Sequence, residues 1–337
     1  MRILYIPVTK KIEEENFINY VKCFLYDVYI FLKNFSIKRK ITKNTSGYVD
    51  AAIHTNAFVL ELPYSYCIIF SKILNFLFDG IFINWKFTNY RKDRNDIESK
   101  LLKISKNYNI KKIIIDVTDK SINKINEEIL EGFDNVIKRE KNKSIFEKKY
   151  LTTMLPCTLI DYKISKDKEN IDWSKIGNSQ PNLNTTHDIF FSGQQTSQHR
   201  KELTEFLKEN NFNFFGRVEN SKIPFKQYLE TIYNSSINLA FEGKGEFTFR
   251  HLEILASCSF MICESSINEL ELPLPLIDGK HFISFRNKSD LLEKINFYLK
   301  NDKLRNDIAL NGRRILEEHY SPKKHGHFLL SKIFTKV

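Results

Sequence analysis

The 337-residue chain is poor in the features that mark specialised protein classes. Its five cysteines, Cys23, Cys67, Cys157, Cys258 and Cys263, are odd in number and mostly far apart. Neither a metal-ligand spacing nor a disulfide framework fits that distribution in a chain of this length. Free buried thiols in a reducing compartment are the simplest account. The chain also lacks an uncharged apolar run of about 18 residues, the minimum for a membrane span. Its most apolar region, Ala57–Trp85, is interrupted by Glu61, Pro63, Lys72 and Asp79, so it reads as strand, helix and strand in a core. A soluble or peripherally attached protein is expected. The opening MRILYIPV runs too soon into charge to be a signal peptide and reads as a first buried strand. There is no Arg-rich run, zinc-finger spacing or RNA-binding signature, and no repeat or low-complexity tract.

What is present is a globular composition, 42% hydrophobic and 28% charged, with a formal charge of +11. The lysines are scattered and accompany abundant Asn and Ile, which points to compositional bias; no nucleic-acid partner is expected. The length favours two domains of ordinary size. In the first half, short β-branched runs alternate with helical patterns. Strands are expected at Met1–Val8, Phe58–Leu62, Gly80–Trp85, Lys111–Val117 and Asn135–Lys138, with helices at Asn16–Lys33, Asp96–Ser105 and Ser121–Gly132. The pattern dissolves between Asp161 and His187 and restarts at DIFFS, Asp188–Ser192. Such alternation argues for parallel sheets with helices on both faces. The expected organisation is an α/β chain with a first domain at 1–160, a polar linker at 161–187 and a second domain at 188–337.

The segment most telling of chemistry is Phe241–Glu264, FEGKGEFTFRHLEILASCSFMICE. A loop with Gly243 and Gly245 leads into a helix starting at Thr248 and carrying Arg250 and Glu253. Glycine permits close approach of a ligand to backbone, and a helix start offers unpaired N–H groups to an anion. Arg250 adds a fork-shaped phosphate donor, and Glu253 lies on the same helical face. An ordinary i, i+3 surface pair is the alternative reading of these two residues.

Four collinear stretches resemble the donor-binding domain of GT-B glycosyltransferases of the group 1 type, nearest the branch of CgeB-like spore-maturation proteins. They are DIFFSGQQTSQHRKELTEFL, NFFGRVENSKIPFKQYLETIYNSSINLAFEG, FTFRHLEILASCSFMICESS and DGKHFISFRNKSDLLEKINFYLKNDKLRNDIALNGRRILEEHYSP. The resemblance implies two Rossmann-like domains facing a cleft. In it Gly193 and Gly243 would admit the donor phosphates, Arg250 would neutralise the diphosphate, and Glu253 would accept from the ribose. Thr248 and the following amides would complete the anion site. Arg200 is a second candidate cation or, equally, a solvated helix residue. Many retaining members carry two glutamates separated by seven residues; here the first position is Gly245, so either Glu246 substitutes or this branch does not use the pattern, and the resemblance leaves retaining and inverting chemistry both open.

On the catalytic side, the first half offers Asp50, His54, Glu61, Asp116 and Asp119. Asp116 and Asp119 close the strongest strand, where parallel sheets place ligands; capping of the next helix is the alternative for Asp119. The resemblance further implies a glycosyltransferase using a nucleotide-sugar donor, with no metal and no permanently bound cofactor. The acceptor would be a glycan, a lipid-linked sugar or a surface polysaccharide. The expected location is cytoplasmic, with peripheral contact to an anionic membrane at its inner face. A nucleotide-sugar epimerase and a non-catalytic carbohydrate- or nucleotide-binding protein share the shape and stand as alternatives.

Overall fold

A computed structural model describes residues 2–6, 58–61, 64–85, 94–116, 121–122, 124–152, 177–218, 223–320 and 322–334. The expectations for Asn16–Lys33, Asp50, His54 and Asp119, and most of the 161–187 connection, lie outside the described residues. Within them the chain builds two parallel sheets.

The first sheet has six strands: β1 (Arg2–Ile6), β2 (Phe58–Glu61), β3 (Gly80–Trp85), β4 (Lys111–Asp116), β5 (Asn135–Lys138) and β7 (Tyr150–Thr152), in the order β2-β1-β3-β4-β5-β7. All neighbours are parallel. Strand β4 explains its own sequence. Ile113 and Ile115 join a cluster with Ile3, Phe82 and Ile137, while Ile114 joins Leu4, Ile81, Leu101 and Ile104 in another. Both faces are covered, so the strand is a continuous apolar run rather than an alternating one. The helix expected at Ser121–Gly132 is shorter, Glu127–Glu131, because Asn126 caps it: the Asn126 side chain accepts from the Glu128 amide at 3.0 Å. Ser121 is used elsewhere, as described below.

The second sheet has five parallel strands: β8 (His187–Gly193), β9 (Phe214–Val218), β10 (Ser235–Ala240), β11 (Met261–Glu264) and β13 (Ile283–Phe285). Their order, β13-β11-β10-β8-β9, sends the chain from β8 to one side and then back to the other. The order therefore reverses between β8 and β10, and the crevice beyond their carboxyl ends is the place where open α/β sheets bind ligands.

Several contacts among the described residues join the domains. A short antiparallel ladder pairs β6 (Lys141–Asn142) with β12 (Leu270–Glu271), backed by Lys141 Nζ on Glu271 Oε2 at 2.6 Å and Thr152 Oγ1 donating to the Glu271 carbonyl at 2.6 Å. The last helix, Pro322–Ile333, returns to the first sheet, where Leu329, Leu330 and Ile333 cover Ile113 and Ile115. This helix falls within the 188–337 stretch that the sequence groups with the second domain. Cys67, Cys258 and Cys263 are free and buried. No described helix is long and apolar enough to cross a membrane.

Candidate active site

The site forms where β8 and β10 end. Gly193 closes β8, and β10 runs into the loop that carries Gly243, held tight by the Gly243 amide donating to the Gly245 carbonyl at 2.9 Å. Two arginines converge there. A side chain begun at Gly193 would meet Arg200 Nη1 at 3.3 Å and Arg250 Nη1 at 3.5 Å; one at Gly243 would meet Arg200 Nη2 at 3.0 Å. The glycines thus supply room, not an unusual backbone angle.

Arg200 lies on the helix Gln198–Lys208, whose start is capped by Ser197. It is buried and donates to three carbonyls: Nε to Glu242 at 2.5 Å, Nη1 to Gln194 at 3.2 Å and Nη2 to Phe241 at 2.9 Å. It therefore ties the loop after β8 to the end of β10. Burial, followed by the charge of Arg250, lowers its pKa to about 10.

Arg250 is held differently. Its Nε donates to the Tyr228 hydroxyl at 3.2 Å, and its guanidinium lies 4.5 Å from the centre of the Phe191 ring, a cation–π placement. Its Nη1 is buried with no hydrogen-bond partner. A buried donor left without an acceptor is costly, and a phosphate oxygen would satisfy it. Tyr228 in turn donates to Glu253 Oε2 at 2.8 Å. Arg250, Tyr228 and Glu253 thus form one chain, with Glu253 largely buried. Burial pushes the Tyr228 hydroxyl pKa up, keeping it a proton donor.

The helix Phe249–Ala256 begins at Thr248, whose amide donates to His251 Nδ1 at 3.0 Å. Burial drives the His251 pKa down to about 3. The ring is neutral, and with Nδ1 accepting, its proton sits on Nε2. Four more polar side chains meet at the ends of β10 and β11. Glu264 accepts from the Glu242 amide and from His199 Nε2, the latter at 2.5 Å, and Ser266 donates to the Glu242 carboxylate.

The candidates for the catalytic acid or base sit elsewhere. Asp116 is buried at the end of β4 and paired with Lys138 Nζ at 2.9 Å across the neighbouring strand. Glu246 lies between the domains: the Ser121 hydroxyl donates to its Oε1 at 2.8 Å. The structure therefore brings Gly193, Arg200, Gly243, Thr248, Arg250 and Glu253 together and leaves Asp116 apart. Sequence reasoning did not single out Tyr228, Phe191 or Glu140. The last lies two residues beyond β5, inside the charged run KREKNK, and no local signal marks it. No group of three or more His, Cys, Asp or Glu side chains suited to a metal ion occurs among the described residues.

This architecture, two parallel-sheet α/β domains with the crevice at a strand-order reversal, is the GT-B fold. An alpha-glucosyltransferase solved with UDP and a 13-mer DNA aligns over the whole of both chains with a TM-score of 0.51 and 16% identity. The same kind of enzyme solved with UDP-glucose and DNA containing an abasic site aligns equally, at 15% identity. Anabaena HepE, solved with UDP and glucose, also aligns over both whole chains, at 9% identity and a TM-score of 0.49. Residues 197–331 match the family described as glycosyl transferase-like. That span contains Arg200, Tyr228, Gly243, Thr248, Arg250 and Glu253. No curated protein matches the sequence.

Proposed function

We propose that the protein is a glycosyltransferase that moves a sugar from a nucleotide-sugar donor to an acceptor held by the first domain. The observation that carries this reading is the buried, unpartnered Nη1 of Arg250, which faces Gly193 beside Arg200 at the strand-order reversal. Two cations and a glycine opening suit a diphosphate. Glu253, oriented by Tyr228, is placed to accept from ribose hydroxyls. The family match over 197–331 supports the same class, and the four motif stretches support placement near the CgeB-like branch.

As the sugar leaves, negative charge grows on the diphosphate. Arg250 and Arg200 are fixed beforehand by Phe191, Tyr228 and backbone carbonyls, so they stabilise that charge without reorganising. No metal or resident cofactor is needed for this role. Asp116, Asp119 and Glu246 remain the candidates for the acceptor-side acid or base. The acceptor we propose is a glycan, lipid-linked sugar or surface polysaccharide, at the cytoplasmic face of a membrane. Ile69, Ile73 and Phe76, exposed beside Lys72, support peripheral contact with anionic lipid.

A thermal-shift screen against nucleoside diphosphates and their sugars tests the reading, because a ligand of the folded state raises Tm by mass action. UDP is the first nucleotide to try. Product analysis with and without acceptor then separates transfer from epimerisation, and including DNA among the acceptors tests the substrate class found with the alpha-glucosyltransferase. Absence of any nucleotide-dependent shift would sink the proposal.

A further inference from the structure

Glu140 is the carboxylate through which the first domain holds the donor loop. It lies two residues beyond β5, is 1% exposed, and belongs to no element of the second domain. Its Oε2 accepts from the amides of Glu246 at 2.9 Å and Phe247 at 3.0 Å, and Arg139 pairs with its Oε1. Ser121 grips the same loop from its other side, through its hydroxyl on Glu246 Oε1 and its amide on Oε2 at 3.4 Å. The chain from 246 to 251 is then fixed link by link. Glu140 takes amides 246 and 247, His251 takes amide 248, and Phe247 stacks on the His251 ring at 4.9 Å. Arg250 projects from the very turn these contacts orient.

We propose that Glu140 is a positioning residue: it sets the Gly243–Thr248 loop, and with it Arg250, so that donor binding is coupled to the seating of the first domain. The inference rests on the donor-site reading above. Its physical basis is that two adjacent amides directed at one buried oxygen leave the loop little rotational freedom. The inter-domain contacts at the β6–β12 ladder, those of Lys141 and Thr152 with Glu271 and of Lys143 with Asn268 and Glu269, involve other residues than this loop. Coupling of this kind is reciprocal, so a bound nucleotide should in turn tighten the contact at 246 and 247.

Amide hydrogen exchange and UDP calorimetry on the full chain test the proposal. Glu140→Ala is expected to speed exchange within 243–250 and to weaken UDP about tenfold, with wild-type protection in the first sheet. Glu140→Gln keeps an acceptor oxygen and is expected to restore most of both. Lys141→Ala, which removes one side-chain contact to Glu271 away from the loop and keeps the β6–β12 backbone ladder, should leave loop exchange and UDP affinity unchanged. Should Glu140→Ala fold poorly, Ser121→Ala provides the milder release and should raise exchange in the same segment. A loop that stays protected in these variants overturns the inference whatever nucleotides do. So does unchanged UDP affinity in a loosened loop, or a Lys141→Ala variant that behaves like Glu140→Ala. If the wild type binds no nucleoside diphosphate, the donor-site reading fails and the coupling fails with it, even where exchange still reports the Glu140 contact.

Discussion

Arg200 and Arg250 direct Nη1 atoms at one spot, 3.3 and 3.5 Å from where a side chain on Gly193 would start. Two guanidiniums so close repel each other, and their mutual charge is among the causes that lower the Arg200 pKa. An anion between them removes the conflict. Gly193→Val would place branched carbon in that space. We expect it to weaken nucleotide binding by at least tenfold while leaving the melting temperature of the free protein within a few degrees. Calorimetry paired with a melting curve checks both halves.

Arg250→Ala should cost at least about tenfold in donor affinity or turnover, roughly one charge-assisted phosphate contact. Arg250→Lys should recover little, because an ammonium lacks the fork that reaches Tyr228 and a phosphate together. Arg250→Ala behaving like wild type toward a donor shown to be used would place the diphosphate elsewhere.

His251 predicts a pH dependence of stability. Its folded pKa, near 3, lies below the ordinary 6.5 because burial disfavours the imidazolium. Above pH 6.5 the ring is neutral in both states. As pH falls from 6.5 toward 3 the unfolded chain takes up a proton that the fold refuses, so stability drops by up to about 1.4 kcal/mol per pH unit. His251→Asn removes the titration and keeps an acceptor for the Thr248 amide. Denaturant titrations between pH 7 and 4 should show a shallower loss for this variant, and equal slopes would refute the assignment.

Leu329 is 2% exposed in the last helix and packs with Ile113 and Ile115 of the first sheet. Leu329→Ala should destabilise the protein by about 2–5 kcal/mol. Because the contact is with the first sheet, hydrogen exchange should rise in β4 and β5 before it rises in β10 or β11. Uniform loosening of the second sheet instead would contradict the packing.

Much of this was readable from residue order. Gly80–Trp85 and Asn135–Lys138 are strands with the expected ends, since each carries a short apolar stretch that is covered on both faces. Thr248 heads its helix as expected, because it precedes an amphipathic run. The clustering of Gly193, Gly243, Arg250 and Glu253 followed from strand-turn-helix units in family order. Glu140 was hidden inside the charged run KREKNK, which reads as a solvated surface. Its partners are more than a hundred residues away, and no local pattern encodes such a contact. Tyr228 was likewise one aromatic on an amphipathic helix.

The sequence by itself determined the alternation of strands and helices, and therefore two parallel sheets, since hydrophobic periodicity and capping are local. It also determined which residue types stand at the ends of β8 and β10. The tertiary structure alone decided how those residues are used. Strand order put β8 beside β10 and so brought Arg200 against Arg250. Three carbonyls took up the donors of Arg200, a tyrosine linked Arg250 to Glu253, and a carboxylate from the other domain took hold of the loop. Each of these is a contact between distant segments, whose geometry exists only once both sheets are packed.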